Sequence, residues 1–383
     1  MLRYDKPILI LLSMLMAVFT LFIMDRISPI KLSSGSRNKG IDGLRGYLAF
    51  LVFTHHSYVW YHFIHFDEWI LPSNYIFANA GQIPVIIFFM ITAYLFIGKI
   101  SALKYIDWKV IYESRLFRIY PLYIFSLIIA FAIVGMETGF ELRVPATDLL
   151  LSALSWMTFS AFYKGPVNTF ANTGYIYSGV YWTLVYEWVF YLSLPLVAFL
   201  MKKSVGIIYL VIALFSCAIF ISIELNPIYI FAFAFGGLAV YAKDIITISR
   251  FAETKIASLM CLLCLSFVFV VFYQSVGVIQ ISIIGISFIL IVSGTNIFGL
   301  LNLRVSRIFG EISYSVYLMH GLVIYIIIEM AMGSEIVKSL SSKEYSVLII
   351  GMSPIVVIAS FLTYKFIEKP FIDIGHKRQK EKK

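Results

Sequence analysis

The chain is predicted to be an all-α, polytopic transmembrane helical bundle of about eleven spans, with its N-terminus outside and its C-terminus inside. Three observations predict this. Of its 383 residues, 61% are hydrophobic and only 13% charged, whereas a soluble domain carries roughly 25% charged residues. Apolar runs of about 17–24 residues recur along the whole length, each long enough to cross a bilayer as a helix. Lysine and arginine also divide unevenly between alternate loops, as they do on the two sides of a membrane.

The first span is read at 8–24. Arg3 and Lys6 precede "ILILLSMLMAVFTLFIM", which resembles a signal sequence. The following "DRISPIK" has no small-x-small cleavage site, so a retained span is expected. Further spans are read near 44–66, 75–97, 117–135, 178–200, 205–222, 227–242, 256–274, 278–298, 314–332 and 345–367. With the loop 25–43 on the cytoplasmic side, 24 of the 30 lysines and arginines fall inside, counting Arg45 at a span end. The net charge of +9 is explained by these inner loops rather than by nucleic acid.

The segment "LLLSALSWMTFSAFY" (Leu149 to Tyr163) is apolar but short, and fits a re-entrant or interfacial element better than a span. It lies in the longest outer loop, 136–177, with Trp156, Tyr163, Asn168, Asn172, Tyr175 and Tyr177. Aromatics with amides suit a carbohydrate surface, and they also populate every membrane interface. Cys217, Cys261 and Cys264 form no disulfide framework. The "CLLC" at 261–264 sits inside an apolar run and reads as packing residues rather than a metal or redox site. The chain divides into an extra N-terminal helix and linker (1–39), a membrane domain (40–371) and a basic cytoplasmic tail (372–383). The tail is expected to be too short to fold and to lie solvated at the membrane surface.

An ionisable group inside a span is costly unless it is paired or lines a cavity, which makes it a functional candidate. The strongest candidates are Arg45, His55, His56, Glu187 and His320. On a helix, position i+11 returns to within about 20° of the starting face and lies about 16 Å along the axis. His56 therefore shares a stripe with Arg45, at mid-membrane depth, while His55 points away by about 80°. Glu187 is read at a similar depth, where a carboxylate can hold an imidazole's tautomer and stabilise its protonated form. Its alternative role is as a partner of Arg115 or Arg118. His62 and His65 lie near the outer interface and read as ordinary.

In their contexts these residues resemble the acyltransferase-3 family of integral membrane O-acyltransferases, from about Gly40 to Phe371. "DGLRGYLAFLVFTHH" is similar to the family's Arg-x10-His helix through Arg45 and His56. "IPVIIFFMITAYLF" resembles FFxISGFLI, with Thr92 and Ala93 where serine and glycine are usual. "RLFRIYPLY" matches RxxRIxP through Arg115, Arg118 and Pro121, and "WTLVYEWVFYLSLP" matches WSLxxExxFYLxxP through Trp182, Glu187, Tyr191 and Pro195. "ISYSVYLMHGLV" is similar to SYSxYLxHxP through Ser313, Tyr314, Tyr317 and His320, with Gly321 and Leu322 departing from the usual proline. "SFLTYKFIEKPF" matches the closing Y-x3-E-x-P through Tyr364, Glu368 and Pro370.

The resemblance implies a ten-helix core preceded here by one added span, in a stand-alone member without the C-terminal SGNH-type domain of many relatives. It implies acyl transfer from cytoplasmic acetyl-CoA, the acyl-donor substrate, to a hydroxyl of an extracytoplasmic glycan such as O-antigen or exopolysaccharide. The expected setting is a bacterial inner membrane, with no tightly bound cofactor and no metal. Arg45, Arg115 and Arg118 would hold the donor's phosphates at the inner mouth, with Tyr314 and His320 on the donor side. His56 would act as general base or as a covalent acyl relay, and Glu187 would orient it. Two alternatives stand beside this reading: an exporter handing acetyl to a separate partner transferase, and a proton-coupled transporter.

Overall fold

The computed structural model describes residues 6–32, 38–162 and 165–381. Arg3 and Tyr163 lie outside the described residues. The chain is 79% helical, with no strand among the described residues. In chain order the helices are α1 (Ile8–Ile27), α2 (Lys39–Phe66), α3 (Tyr75–Ala102), α4 (Trp108–Glu137) and α5 (Ala146–Met157). A 3-10 turn at Ala171–Tyr177 then leads to α6 (Trp182–Leu200), α7 (Ile207–Ser222), α8 (Ile228–Ala242), α9 (Ile246–Ala252), α10 (Lys255–Val271) and α11 (Val278–Ser293). The last are α12 (Arg304–Glu311), α13 (Ser313–Tyr325, extended by a π-helical stretch Ile326–Met332), α14 (Ser334–Ser339), α15 (Ser342–Thr363) and α16 (Lys369–Glu381).

Every span read from the sequence coincides with one of these helices. Among the described residues, six helical segments are long and apolar enough to cross a membrane, seven if α8 and α9, bent by 101°, count as one. The helices α7, α10 and α11 are apolar but shorter. At 12 residues, α5 extends about 18 Å, well short of a bilayer core of about 30 Å.

The chain forms two compact units. The first contains Met1–Gly98, Asn226–Tyr317 and Ile326–Phe361. Its densest feature is the crossing of α2 over the segment 301–310, where three glycines remove the side chain at the contact. A Cβ on Gly310 would occupy the carbonyl oxygen of Asp42, one on Gly43 that of Leu301, and one on Gly46 the backbone of Phe309. Tyr47 bonds Ser306 through their hydroxyls at 2.7 Å beside this crossing. Asn38 caps α2, its side chain accepting from the N–H groups of Gly40 and Ile41 at 3.1 and 3.3 Å. The added helix α1 is held by a fork: Arg304 donates from Nε and Nη2 to the two oxygens of Asp25 at 2.8 and 3.0 Å. Asn79 is fully buried on α3, and its Nδ2 donates to the carbonyls of Val268, Phe269 and Phe272 at the end of α10. A helix end leaves carbonyls short of backbone donors, although Val268 also accepts the Phe272 N–H. Cys261 is buried on α10, facing α11 with its sulfur 3.9 Å from the Ser287 carbonyl, which is the packing role expected.

The second unit contains Lys99–Leu225, Leu318–Tyr325 and Leu362–Lys383. Here much of the aromatic loop, read from the sequence as suiting either a carbohydrate or the membrane interface, is turned inward. Trp156 and Tyr177 are 1% and 0% exposed and stack on each other at 5.9 Å. Tyr123, from α4, donates its hydroxyl to the Trp156 carbonyl at 2.7 Å. Asn168 is likewise consumed: its Nδ2 donates to Thr138 Oγ1 and the Glu141 carbonyl, and its Oδ1 accepts from the Arg143 N–H. Large rings in a long loop gain more by closing their own core than by waiting for a ligand. Of the loop residues named from the sequence, Asn172 is exposed and Tyr175 half-buried.

The tail corrects the sequence reading. It is helical through Glu381, continuing the last span through a π-helical turn at Tyr364–Glu368 into α16. Extending an existing helix avoids the cost of nucleating one, and α16 packs on α4. The Arg378 guanidinium lies 5.2 Å from the Phe117 ring centroid, and Gln379 donates to the Val110 carbonyl at 3.5 Å.

Candidate active site

In the first unit, α2 runs without interruption from Lys39 to Phe66, so the eleven-residue spacing acts as expected. Arg45 and His56 share one stripe, about 16 Å apart along the axis. Both are half-buried, whereas Ala49 and Val52 between them on that stripe are 0% and 2% exposed. The stripe thus opens at its two ionisable ends. His55 is buried, its Nδ1 2.8 Å from the Phe77 carbonyl of α3, and its ring meets that of His56 edge to face at 4.9 Å. Tyr314 is half-buried near the start of α13. His62 and His65 bond the backbone carbonyls of Glu68 and Tyr61 through Nδ1, as ordinary histidines near a helix end do.

The second unit brings Arg115, Arg118 and Glu187 into one cluster and adds two residues the sequence reading had given no role. Tyr191, one turn along α6 from Glu187, donates its hydroxyl to Glu187 Oε2 at 3.1 Å. The Arg115 guanidinium lies 6.0 Å from the Tyr191 ring centroid and within electrostatic reach of both Glu187 and Arg118. Glu187 is thus held by Tyr191 with the Arg115 charge nearby. Arg118 pairs with Glu368 at 3.7 Å, with side chains 15% and 0% exposed. Tyr364 and Glu368, at the two ends of the π-helical turn, are both buried, as residues four apart on a helix share a face. The signal was present in the quoted Tyr364–Glu368–Pro370 spacing, but nothing in a linear sequence ties Glu368 to an arginine 250 positions earlier. His320 is fully buried. Its neighbour Gly321 lies against the loop: a Cβ there would stand 2.6 Å from the Tyr177 carbonyl oxygen.

The Arg118–Glu368 pair predicts its own sensitivity. Removing one partner of a buried ion pair strands the other charge, at a cost of about 3–5 kcal/mol. Glu368→Ala is expected to lower the melting temperature in detergent sharply, with Glu368→Gln intermediate. A wild-type melting curve for Glu368→Ala would mean the pair contributes nothing.

A helical bundle of this length and apolarity, with several helices long enough to cross a membrane, defines a multi-pass membrane protein. A family model described as an acyltransferase domain matches residues 38–365, and the chain belongs to the acyltransferase-3 family. The match begins at the cap of α2, so α1 precedes the family domain. No curated protein and no solved structure matches the chain.

Proposed function

We propose that this membrane acyltransferase moves an acyl group, acetyl in the simplest case, from cytoplasmic acetyl-CoA to a hydroxyl of an extracytoplasmic glycan such as O-antigen or exopolysaccharide, in a bacterial inner membrane. The observation that supports this most is the pairing of an anion-binding and a proton-accepting side chain on one uninterrupted stripe of α2. Arg45 binds donor phosphate, for which a guanidinium offers forked donors. His56 takes the proton of the acceptor hydroxyl as its oxygen attacks the thioester carbonyl. The C–O bond forms, the C–S bond breaks, and the imidazolium returns the proton to the departing CoA thiolate. Within the second unit, Arg115 beside Tyr191 offers a guanidinium of the same anion-binding kind, and Arg118 pairs with Glu368.

The test is a purified preparation in proteoliposomes, with 13C-acetyl-CoA on one side and a hydroxylated bacterial polysaccharide on the other. New O-acetyl ester resonances on the polysaccharide are expected. Label crossing the membrane as free acetate without ester formation would replace this reading with an exporter. No consumption of acetyl-CoA would overturn acetyl as the group transferred.

A further inference from the structure

We infer that His55 is a positioning residue for His56, seated by Phe77 and Gly81 of α3; this rests on His56 being the proton acceptor. Adjacent histidines on a helix point about 100° apart, so the pair is not two copies of one function. A carbonyl oxygen only accepts, so His55 Nδ1, 2.8 Å from the Phe77 oxygen, carries the hydrogen. That fixes the ring's tautomer and leaves Nε2 without a proton in the neutral imidazole. Within α3 the same carbonyl is the i−4 acceptor for the Gly81 N–H, so its second lone pair receives His55.

The seat is shaped as well as bonded. A Cβ on Gly81 would lie 2.6–2.8 Å from Cγ, Cδ2 and Nδ1 of His55. Any larger residue at 81 would push the ring off the Phe77 carbonyl. So placed, His55 is buried, and its ring meets that of His56 at 4.9 Å with the planes 75° apart. This contact restricts rotation of the His56 imidazole about its side-chain bonds. A base must stay within hydrogen-bond reach of the proton it takes, and small misplacements are expensive.

Two variants separate the bond from the ring. In His55→Asn the amide Nδ2 stands where Nδ1 was and can still donate to the Phe77 carbonyl, but no ring faces His56. Its kcat, normalised to folded protein, is expected to fall about 10–100-fold with KM for acyl-CoA unchanged. His55→Phe returns a planar ring and should recover most of that loss. Gly81→Ala, which displaces the ring without altering it, should resemble His55→Asn and serves if that variant does not fold. A wild-type kcat in both His55→Asn and Gly81→Ala, with His56→Ala inactive, overturns the positioning role. Activity in His56→Ala overturns the underlying reading instead.

Discussion

Alanine at position 56 is expected to abolish acyl transfer while leaving a correctly inserted, folded protein. General base catalysis by a positioned side chain contributes typically 10²–10⁴-fold, so the loss in kcat is expected to be about that size. Alanine has the highest helix propensity of any residue, so α2 should keep its course and Arg45 its place. KM for the donor should therefore be unaffected, because an interaction made only in the transition state is lost. Arg45→Ala should behave oppositely: it removes ground-state binding of phosphate, raises the donor KM, and recovers near-normal kcat at saturating acyl-CoA. Glycan O-acetylation read by NMR in cells, followed by kinetics in membranes, distinguishes the two. Wild-type acetylation by inserted His56→Ala protein would remove the histidine from the mechanism.

The wild-type protein, with His56→Ala as the blank, separates base from relay. A covalent relay requires an acyl-imidazole that accumulates when acceptor is withheld and is released by hydroxylamine. General base catalysis predicts no such species in wild-type protein and none in His56→Ala. Labelled acyl-CoA incubated without glycan, then denatured, gives the answer directly.

Much of this site was legible because membrane proteins restrict where polar residues occur. Arg45, His55, His56, Glu187 and His320 stood out against an apolar background whose cost for an ionisable group is high, whereas Arg115 and Arg118 gained a site role from the family resemblance. Span positions followed from hydropathy, but helix lengths did not. The helix α2 starts at Lys39 rather than 44, and α4 runs from 108 to 137 rather than 117 to 135. Hydropathy detects the bilayer, whereas the backbone stays helical until a cap such as Asn38 or Asp107 ends it. The aromatic loop stayed open between two readings because Trp156 and Tyr177 carry no mark of whether a ring faces a ligand or, as here, another ring. Glu368 went without a role because its partner Arg118 is distant in sequence.

The largest structural effect is expected at Gly310, where a methyl group has no room at all. Its Cβ would coincide with the Asp42 carbonyl oxygen, and the obstacle is backbone rather than a side chain that could rotate away. Overpacking in a core typically costs about 1–3 kcal/mol when side chains can adjust; here α12 must separate from α2, so Gly310→Ala is expected to yield little folded, monodisperse protein. Gly351→Ala is the control: on α15, with nothing within 4 Å of a Cβ, it should be neutral or stabilising by up to about 1 kcal/mol. Equal melting temperatures for the two variants would show that the crossing tolerates what its geometry forbids. Gly43 and Gly46 flank Arg45 on either side, so the crossing that excludes a methyl group also determines where the guanidinium sits. A Gly43→Ala protein that still folds, with α2 shifted away from Leu301, should show a raised KM for acyl-CoA with little change in kcat.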